Sequence, residues 1–218
     1  MTPPAPPAPA LLARLEAAMA RLPLVAILRG LTPAEAVPAA EVLYAAGFRL
    51  VEVPLNSPDP FASIAAIRAA LPGDALVGAG TVLRAEDVAE LRRIGAELVV
   101  MPHADTAVIG AAAAAGLLAI PGIATPTEAF AALAAGAVAL KIFPAEMVGP
   151  PVVKAMLAVL PRGTRLLPVG GISPSTMGPF RAVGVAGFGL GSALYRPGLP
   201  LEDLAANAAA FVAAWQAG

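Results

Sequence analysis

The sequence predicts a single (β/α)8 TIM barrel with one extra helix at its N-terminal side. Two observations lead there. Short, continuous apolar runs recur along the chain, each bounded by Gly, Pro, Ser or Thr, as expected for parallel strands covered on both faces. Ala-rich helical stretches separate them at a spacing of about 20–25 residues, the alternation that builds a barrel from eight βα units. A chain of 218 residues suits one such domain. An open doubly wound sheet is the alternative for the same alternation.

In order, the runs are Leu24–Leu28, Leu50–Val53, Leu76–Val77, Leu98–Met101, Leu117–Ile120, Ala139–Phe143, Leu166–Val169 and Gly187–Leu190. Thr32-Pro33, Thr125-Pro126-Thr127-Glu128 and Ser173-Pro174 read as helix starts, with a hydroxyl at the N-cap and proline in the first turn. Gly47, Gly95, Gly116, Gly136 and Gly184 follow helical stretches, where a left-handed C-cap is needed. The segment Ala10–Arg21 is expected to be a helix that caps the bottom of the barrel. Residues 1–10 are rich in Pro and Ala and lack the basic and apolar regions of a secretory signal. They are expected to form a loosely ordered extension, leaving residues 11–218 as the barrel domain.

Composition removes several function classes. Lys+Arg 14 against Asp+Glu 15 gives a net charge of -1, and aromatics are 5% of the chain, so no basic surface interleaved with aromatics favours nucleic acid. There is no cysteine, which excludes disulfides, thiolate nucleophiles and Cys-based metal sites. That is compatible with a reducing cytoplasm, where the protein is expected to reside. His103 is the single histidine, so a multi-histidine metal centre is impossible and only an all-oxygen site stays open. The apolar fraction of 58% raises the question of a membrane span, most sharply in the uncharged stretch Thr106–Thr127. Gly116, Pro121 and Gly122 interrupt it, and Ala and Gly are weak drivers of insertion. A helix, a short strand and a loop are expected there, and no membrane association.

In a barrel the chemistry sits at the C-terminal ends of the strands. Lys141 stands alone in the apolar run Ala139–Phe143, and Glu52 stands alone between Leu50 and Val53. Desolvation favours a neutral amine, the form that attacks a ketone to give an imine. A buried carboxylate with a raised pKa can carry protons in both directions. The structural alternatives are a lysine snorkelling outward and a salt bridge of Glu52 with Lys141 or Arg29. Arg29, directly after the first run, suits a substrate carboxylate bidentately. Thr81, in Gly78-Ala79-Gly80-Thr81, either binds the same end of a substrate or N-caps a helix beginning near Leu83. Gly170-Gly171-Ile172-Ser173 and Gly189-Leu190-Gly191-Ser192 follow the last two runs, where barrels commonly bind phosphate. His103 is left without a role. Together these groups imply an anionic, phosphorylated substrate with a ketone next to a carboxylate, and chemistry that needs neither metal nor cofactor.

The motifs Leu22-Pro23-Leu24-Val25-Ala26-Ile27-Leu28-Arg29-Gly30, Val51-Glu52-Val53-Pro54-Leu55-Asn56-Ser57-Pro58, Gly78-Ala79-Gly80-Thr81-Val82-Leu83 and Leu140-Lys141-Ile142-Phe143-Pro144 resemble those of the 2-keto-3-deoxy-6-phosphogluconate/phosphogalactonate aldolase family. The resemblance runs from Leu22 to the C-terminus. It implies a class I aldolase with Lys141 as Schiff-base lysine and Glu52 as general acid/base. It further implies that Arg29 and Thr81 bind the pyruvate end, that Gly170, Gly171, Gly191 and Ser192 contact phosphate, and that the chain forms a homotrimer. The implied reaction is reversible cleavage to pyruvate and glyceraldehyde 3-phosphate. Asn56 and Val169 stand where the gluconate branch carries arginine and threonine, and the carboxylate arginine is instead Arg29. With Leu194-Tyr195-Arg196, this points to the galactonate branch, whereas Phe143-Pro144-Ala145-Glu146 resembles the gluconate branch. The alternatives are the gluconate epimer or dual specificity. A phosphate-binding isomerase or synthase, and a non-catalytic ligand-binding barrel, are the readings outside the aldolase class.

Overall fold

The computed structural model describes residues 8–217. Residues 1–7, most of the expected extension, lie outside the described residues. Helix α1 (Pro9–Arg21) includes Pro9 and Ala10, so the fold begins two residues earlier than the sequence boundary. There follow β1 (Leu24–Ile27), α2 (Pro33–Ala45), β2 (Leu50–Pro54), α3 (Pro60–Ala70), β3 (Leu76–Gly80), α4 (Asp87–Arg93), β4 (Leu98–Val100), α5 (Thr106–Ala114) and β5 (Leu118–Ile120). The second half comprises β6 (Gly122–Ile123), α6 (Pro126–Ala134), β7 (Leu140–Ile142), α7 (Ala145–Val159), β8 (Leu166–Pro168), α8 (Met177–Ala182), β9 (Phe188–Leu190) and α9 (Leu201–Gln216).

The result is an α/β fold on parallel strands. Six form a sheet in the order β5-β4-β3-β2-β1-β9, and three form a second in the order β6-β7-β8. Backbone bonds join the sheets at both edges. On one side Val138 N–H donates to the Ala119 carbonyl at 3.0 Å and Lys141 N–H to the Pro121 carbonyl at 2.8 Å. On the other, Ala186 N–H donates to the Leu166 carbonyl at 3.0 Å and Val169 bridges Gly189 in parallel.

The apolar pattern predicts that the fifth strand ends at Ile120, yet a further short strand, β6, follows it. Proline at 121 has no N–H for a ladder, so the ladder breaks there and resumes at Gly122 on a different neighbour, β7. Gly122 is confined by its surroundings: a Cβ on it would lie 2.4 Å from the Pro102 carbonyl oxygen. The third strand is longer than expected for a similar reason. Gly78-Ala79-Gly80 reads as a turn, yet it continues β3, with Glu52 paired to Gly78 and Pro54 to Gly80.

Two of the three expected helix starts hold. Thr32 N–H donates to Glu35 Oε2 at 3.2 Å ahead of α2, and Thr125 with Glu128 forms a reciprocal capping box ahead of α6. After Ser173-Pro174 the chain instead makes a turn, closed by Ser173 N–H on Thr176 Oγ1 at 2.9 Å, and α8 starts at Met177. The five glycines read as C-caps all have positive φ, from 73° at Gly116 to 107° at Gly47.

Side-chain alternation along the strands divides the interior into two cores. Val51, Val53, Leu140 and Ile142 pack outward against the helices. Leu50, Leu76, Leu98 and Leu118 pack inward, against Leu15 and Ala18 of α1. Helix α1 thus closes the inner core at the N-terminal ends of the strands. Arg14 of α1 is held there by an ion pair with Glu97 and a 2.9 Å bond to the Ala75 carbonyl. Among the described residues no helix is long and apolar enough to cross a membrane; the stretch Thr106–Thr127 folds as α5, β5, β6 and the start of α6.

Candidate active site

The alternation that turns Leu50 inward also turns Glu52 inward, two residues nearer the C-terminal end of β2. In β7, Lys141 lies between two residues of the outer core, so it too faces in. Both side chains line one small cavity whose other walls are apolar, among them Val25, Ile27, Val100, Ile120 and Leu167. Glu52 is 1% exposed and Lys141 6%.

Glu52 is not in a salt bridge with Lys141 or Arg29. Its Oε2 is buried and has no hydrogen-bond partner. Burial raises its pKa from 4.5 to about 7, and the charges of Lys141 and Arg29 pull it back only in part. Room for the carboxylate comes from Gly80, where a Cβ would meet Glu52 Oε2 at 1.9 Å.

Lys141 is shifted below the ordinary lysine value. Burial is the largest cause, Glu52 opposes it, and the positive charge of Arg29 adds to it. The Nζ lies 4.5 Å from the centre of the Phe143 ring, a neighbour that tolerates a cation without hydrogen-bonding an amine. Lys141 therefore does not snorkel; it holds a desolvated amine beside a carboxylate of near-neutral pKa.

Arg29 leaves β1 at the same end of the strands. Its Nη1 donates to Asn56 Oδ1 at 2.7 Å and its Nη2 to Thr81 Oγ1 at 3.4 Å. The neighbouring backbone is pinned as well, with Gly30 N–H donating to the Ser57 hydroxyl at 2.9 Å. Thr81 has φ +53°, a conformation that β-branched residues avoid at a cost of about 1–3 kcal/mol. Its role as an N-cap is excluded, because α4 begins at Asp87. Asn56 was legible in the sequence only as a departure from a family pattern, and Ser57 not at all; a turn serine carries no signal that it will receive a backbone N–H from another loop.

The glycine loops lie after β8 and β9. Gly170 and Gly171 have φ of 103° and 63°, and a Cβ on either would meet the Glu146 side chain within 2.6 Å. Both therefore have a structural reason to be glycine, apart from any ligand. Gly191 has neither constraint: its φ is not positive and a Cβ there would meet nothing within 4 Å. Ser192 is exposed beside it, and Leu194 and Tyr195 close a turn on the Gly191 carbonyl. His103 lies outside the cavity wall, 4.0 Å from Asp105. Among the described residues no group of three His, Asp or Glu side chains is arranged to hold a metal ion.

Known proteins are similar to this chain in sequence and fold. The family model for KDPG and KHG aldolase matches residues 15–206. The chain is 50% identical over 196 residues to the 2-dehydro-3-deoxy-6-phosphogalactonate aldolase of Escherichia coli (strain K12), covering 90% of this chain and 96% of the relative. It is 47% identical over 195 residues to a probable 2-dehydro-3-deoxy-6-phosphogalactonate aldolase of Rhizobium meliloti (strain 1021), covering 89% and 92%. The solved native structure of KDPGal superposes with a TM-score of 0.88 at 49% identity, covering 90% of this chain and 95% of that one. A KDPG aldolase from Legionella pneumophila, solved with pyruvate captured at low pH as a covalent carbinolamine intermediate, gives a TM-score of 0.76 at 26% identity, covering 92% and 96%. With a matching model over most of its length and relatives of this identity, the chain belongs to the KDPG and KHG aldolase family.

Proposed function

We propose that this aldolase cleaves 2-dehydro-3-deoxy-6-phospho-D-galactonate to pyruvate and D-glyceraldehyde 3-phosphate through a Schiff base on Lys141. The observation that carries the reading is the pairing of a desolvated Lys141 amine with an unpartnered Glu52 carboxyl in one apolar cavity. The names of the two similar aldolases support the substrate, and the carbinolamine captured in the Legionella pneumophila enzyme supports the covalent route.

The steps follow from these groups. The neutral amine adds to the C2 ketone, giving a carbinolamine that loses water to a protonated imine. Glu52, as carboxylate, takes the proton of the C4 hydroxyl. The C3–C4 bond breaks, its electron pair moves to the iminium nitrogen as an enamine, and C4 leaves as the aldehyde carbon of glyceraldehyde 3-phosphate. Glu52 returns its proton to C3, and hydrolysis frees pyruvate and Lys141. A pKa near 7 lets Glu52 serve in both directions. Arg29 and Thr81 hold the substrate carboxylate. Gly170, Gly171, Gly191 and Ser192 receive the phosphate through backbone amides and the hydroxyl. Neither metal nor cofactor has a part in these steps.

The two sheets, joined at both edges, are read as one closed eight-stranded barrel in which β5 and β6 are a single strand broken at Pro121. The working form is a cytoplasmic homotrimer. The test of the chemistry is borohydride reduction with pyruvate, which should modify Lys141 irreversibly and leave Lys141→Ala unmodified and without turnover. The test of the substrate is initial rates of pyruvate release from the two C4-epimeric 6-phosphates; preference for the gluconate epimer would overturn the substrate assignment.

A further inference from the structure

Arg29 is exposed on a loop, yet its guanidinium is held in one orientation by residues of a different loop. Asn56 Oδ1 takes Nη1 at 2.7 Å, and the next residue, Ser57, takes the N–H of Gly30 at 2.9 Å. Ser57 is 8% exposed and is itself fixed by its own N–H on the Pro54 carbonyl at 2.9 Å. Two adjacent residues after β2 thus fix the side chain and the backbone of two adjacent residues after β1. The backbone bond sets where Arg29 starts, and the amide sets where its head points.

The acceptor is an amide rather than a carboxylate, and that matters for the charge. An aspartate at 56 would form an ion pair with Arg29 and occupy the fork that a substrate carboxylate needs. An asparagine carbonyl accepts one arm and leaves the positive charge uncompensated. The third contact, Nη2 to Thr81 Oγ1 at 3.4 Å, is long, so that arm is free to turn to an incoming oxygen.

We propose that Asn56 is a positioning and specificity residue: with Ser57 it presents the Arg29 guanidinium, charged and pre-oriented, to the carboxylate of a 2-keto acid. The proposal rests on the Schiff-base reading above and on Arg29 as the carboxylate clamp. It assigns Asn56 to selection of the acid over a neutral ketone, and not to bond breaking. The neutral form of Lys141 is used equally by both classes of ketone; a carboxylate is what only the acid offers.

The test is borohydride trapping at Lys141 in the intact enzyme, with the concentration dependence measured for pyruvate and for acetone, which lacks the carboxylate. Arg29→Ala should weaken pyruvate far more than acetone, which feels only the change in the Lys141 amine that follows from removing the Arg29 charge. Asn56→Asp should likewise weaken pyruvate far more than acetone, by roughly tenfold to a hundredfold in the pyruvate concentration at half-maximal trapping, the range for a hydrogen bond to a charged group. Asn56→Gln should recover part of the loss, and Ser57→Ala should reproduce a smaller one. Equal loss for pyruvate and acetone in Asn56→Asp, or no loss for pyruvate while Arg29→Ala shows one, overturns the assignment of Asn56. No pyruvate effect in Arg29→Ala overturns the clamp and the proposal with it. Absence of trapping in the parent enzyme overturns the Schiff-base reading itself, which keeps the failures apart.

Discussion

The carboxylate of Glu52 rests on the Cα of Gly80, so closely that a Cβ there would stand 1.9 Å from Oε2. Gly80 ends β3, and its φ is not among the positive ones, so backbone freedom is not why it is glycine. Gly80→Ala should push Glu52 out of position while leaving Lys141 in place. The expected outcome is turnover reduced by about a hundredfold or more, as for loss of an acid–base group, with pyruvate still trapped by borohydride. Overpacking should also lower stability by about 1–3 kcal/mol. Unchanged turnover in a folded Gly80→Ala would show that the Glu52 carboxylate does not depend on Gly80 for its working position.

Glu52 also makes the fold pH-dependent. Its carboxyl titrates at about 7 in the folded chain against 4.5 unfolded, so between these values the folded state binds more protons and stability falls as pH rises. The contribution is fully present below pH 4.5, declines across the window, and is gone above 7. At most it amounts to about 3 kcal/mol, from 1.36 kcal/mol per pKa unit. Glu52→Gln should therefore match the parent in melting temperature near pH 4.5 and exceed it at pH 8, while losing activity. A constant difference across that range would count against a buried, unpaired carboxylate.

Two charges act on Lys141 in opposite senses. Arg29 lowers its pKa and Glu52 raises it. In Arg29→Ala the pKa rises, less neutral amine is present at a given pH, and the pH profile of pyruvate trapping moves to higher pH. In Glu52→Gln the profile moves to lower pH. Shifts of the same sign in both variants would show that these charges do not set the state of the amine.

Much of this was legible in the sequence because lone charges inside apolar runs are conspicuous: Lys141 and Glu52 stand out, although the face each takes is fixed only by the packing of the folded strands. The eight runs likewise correspond to strands, since burial on both faces leaves a continuous apolar signal. What stayed hidden depends on contacts between distant segments. Pro121-Gly122 reads as a breaker, and only the folded chain shows pairing resuming at Gly122 on a new partner, β7 in place of β4. Gly78 and Gly80 read as a turn because nothing local says that a neighbouring backbone and a carboxylate press against them. Ser173-Pro174 carries the letters of a helix start, but its hydroxyl closes a turn with Ser175 and Thr176 instead. Asn56 and Ser57 are ordinary turn residues until the first loop is folded against them.

The far end of the strands should be separable from the chemistry. Leu15 of α1 is 1% exposed and packs in the inner core with Leu50, Leu76 and Leu98. Leu15→Ala should cost about 2–5 kcal/mol, as for other buried leucines, measured by denaturant unfolding. The kcat of the folded fraction should be unchanged, because the cavity around Lys141 and Glu52 lies at the opposite ends of the strands. A drop in kcat without loss of stability would mean that α1 reaches the site in a way the packing does not show.

The glycines after β8 and β9 make opposite expectations that test the phosphate assignment. Gly171 has φ +63° and would bring a Cβ to 2.5 Å from Glu146 Cγ, so Gly171→Ala is strained whether or not a ligand binds. It should lose stability, and any loss of affinity in it is ambiguous. At Gly191 a Cβ would find open space, with no positive φ. Gly191→Ala should keep the parent melting temperature, and helix and turn propensity there are of little consequence. If the backbone at 191 lies against the phosphate, an added methyl group should raise KM for the 6-phosphorylated substrate while leaving kcat, and leaving borohydride trapping of pyruvate, as in the parent. The comparison needs only those three measurements on one variant. An unchanged KM would place the phosphate away from the β9 loop and return its recognition to Gly170 and Gly171, where Glu146 already occupies the space above the Cα atoms and would have to move aside.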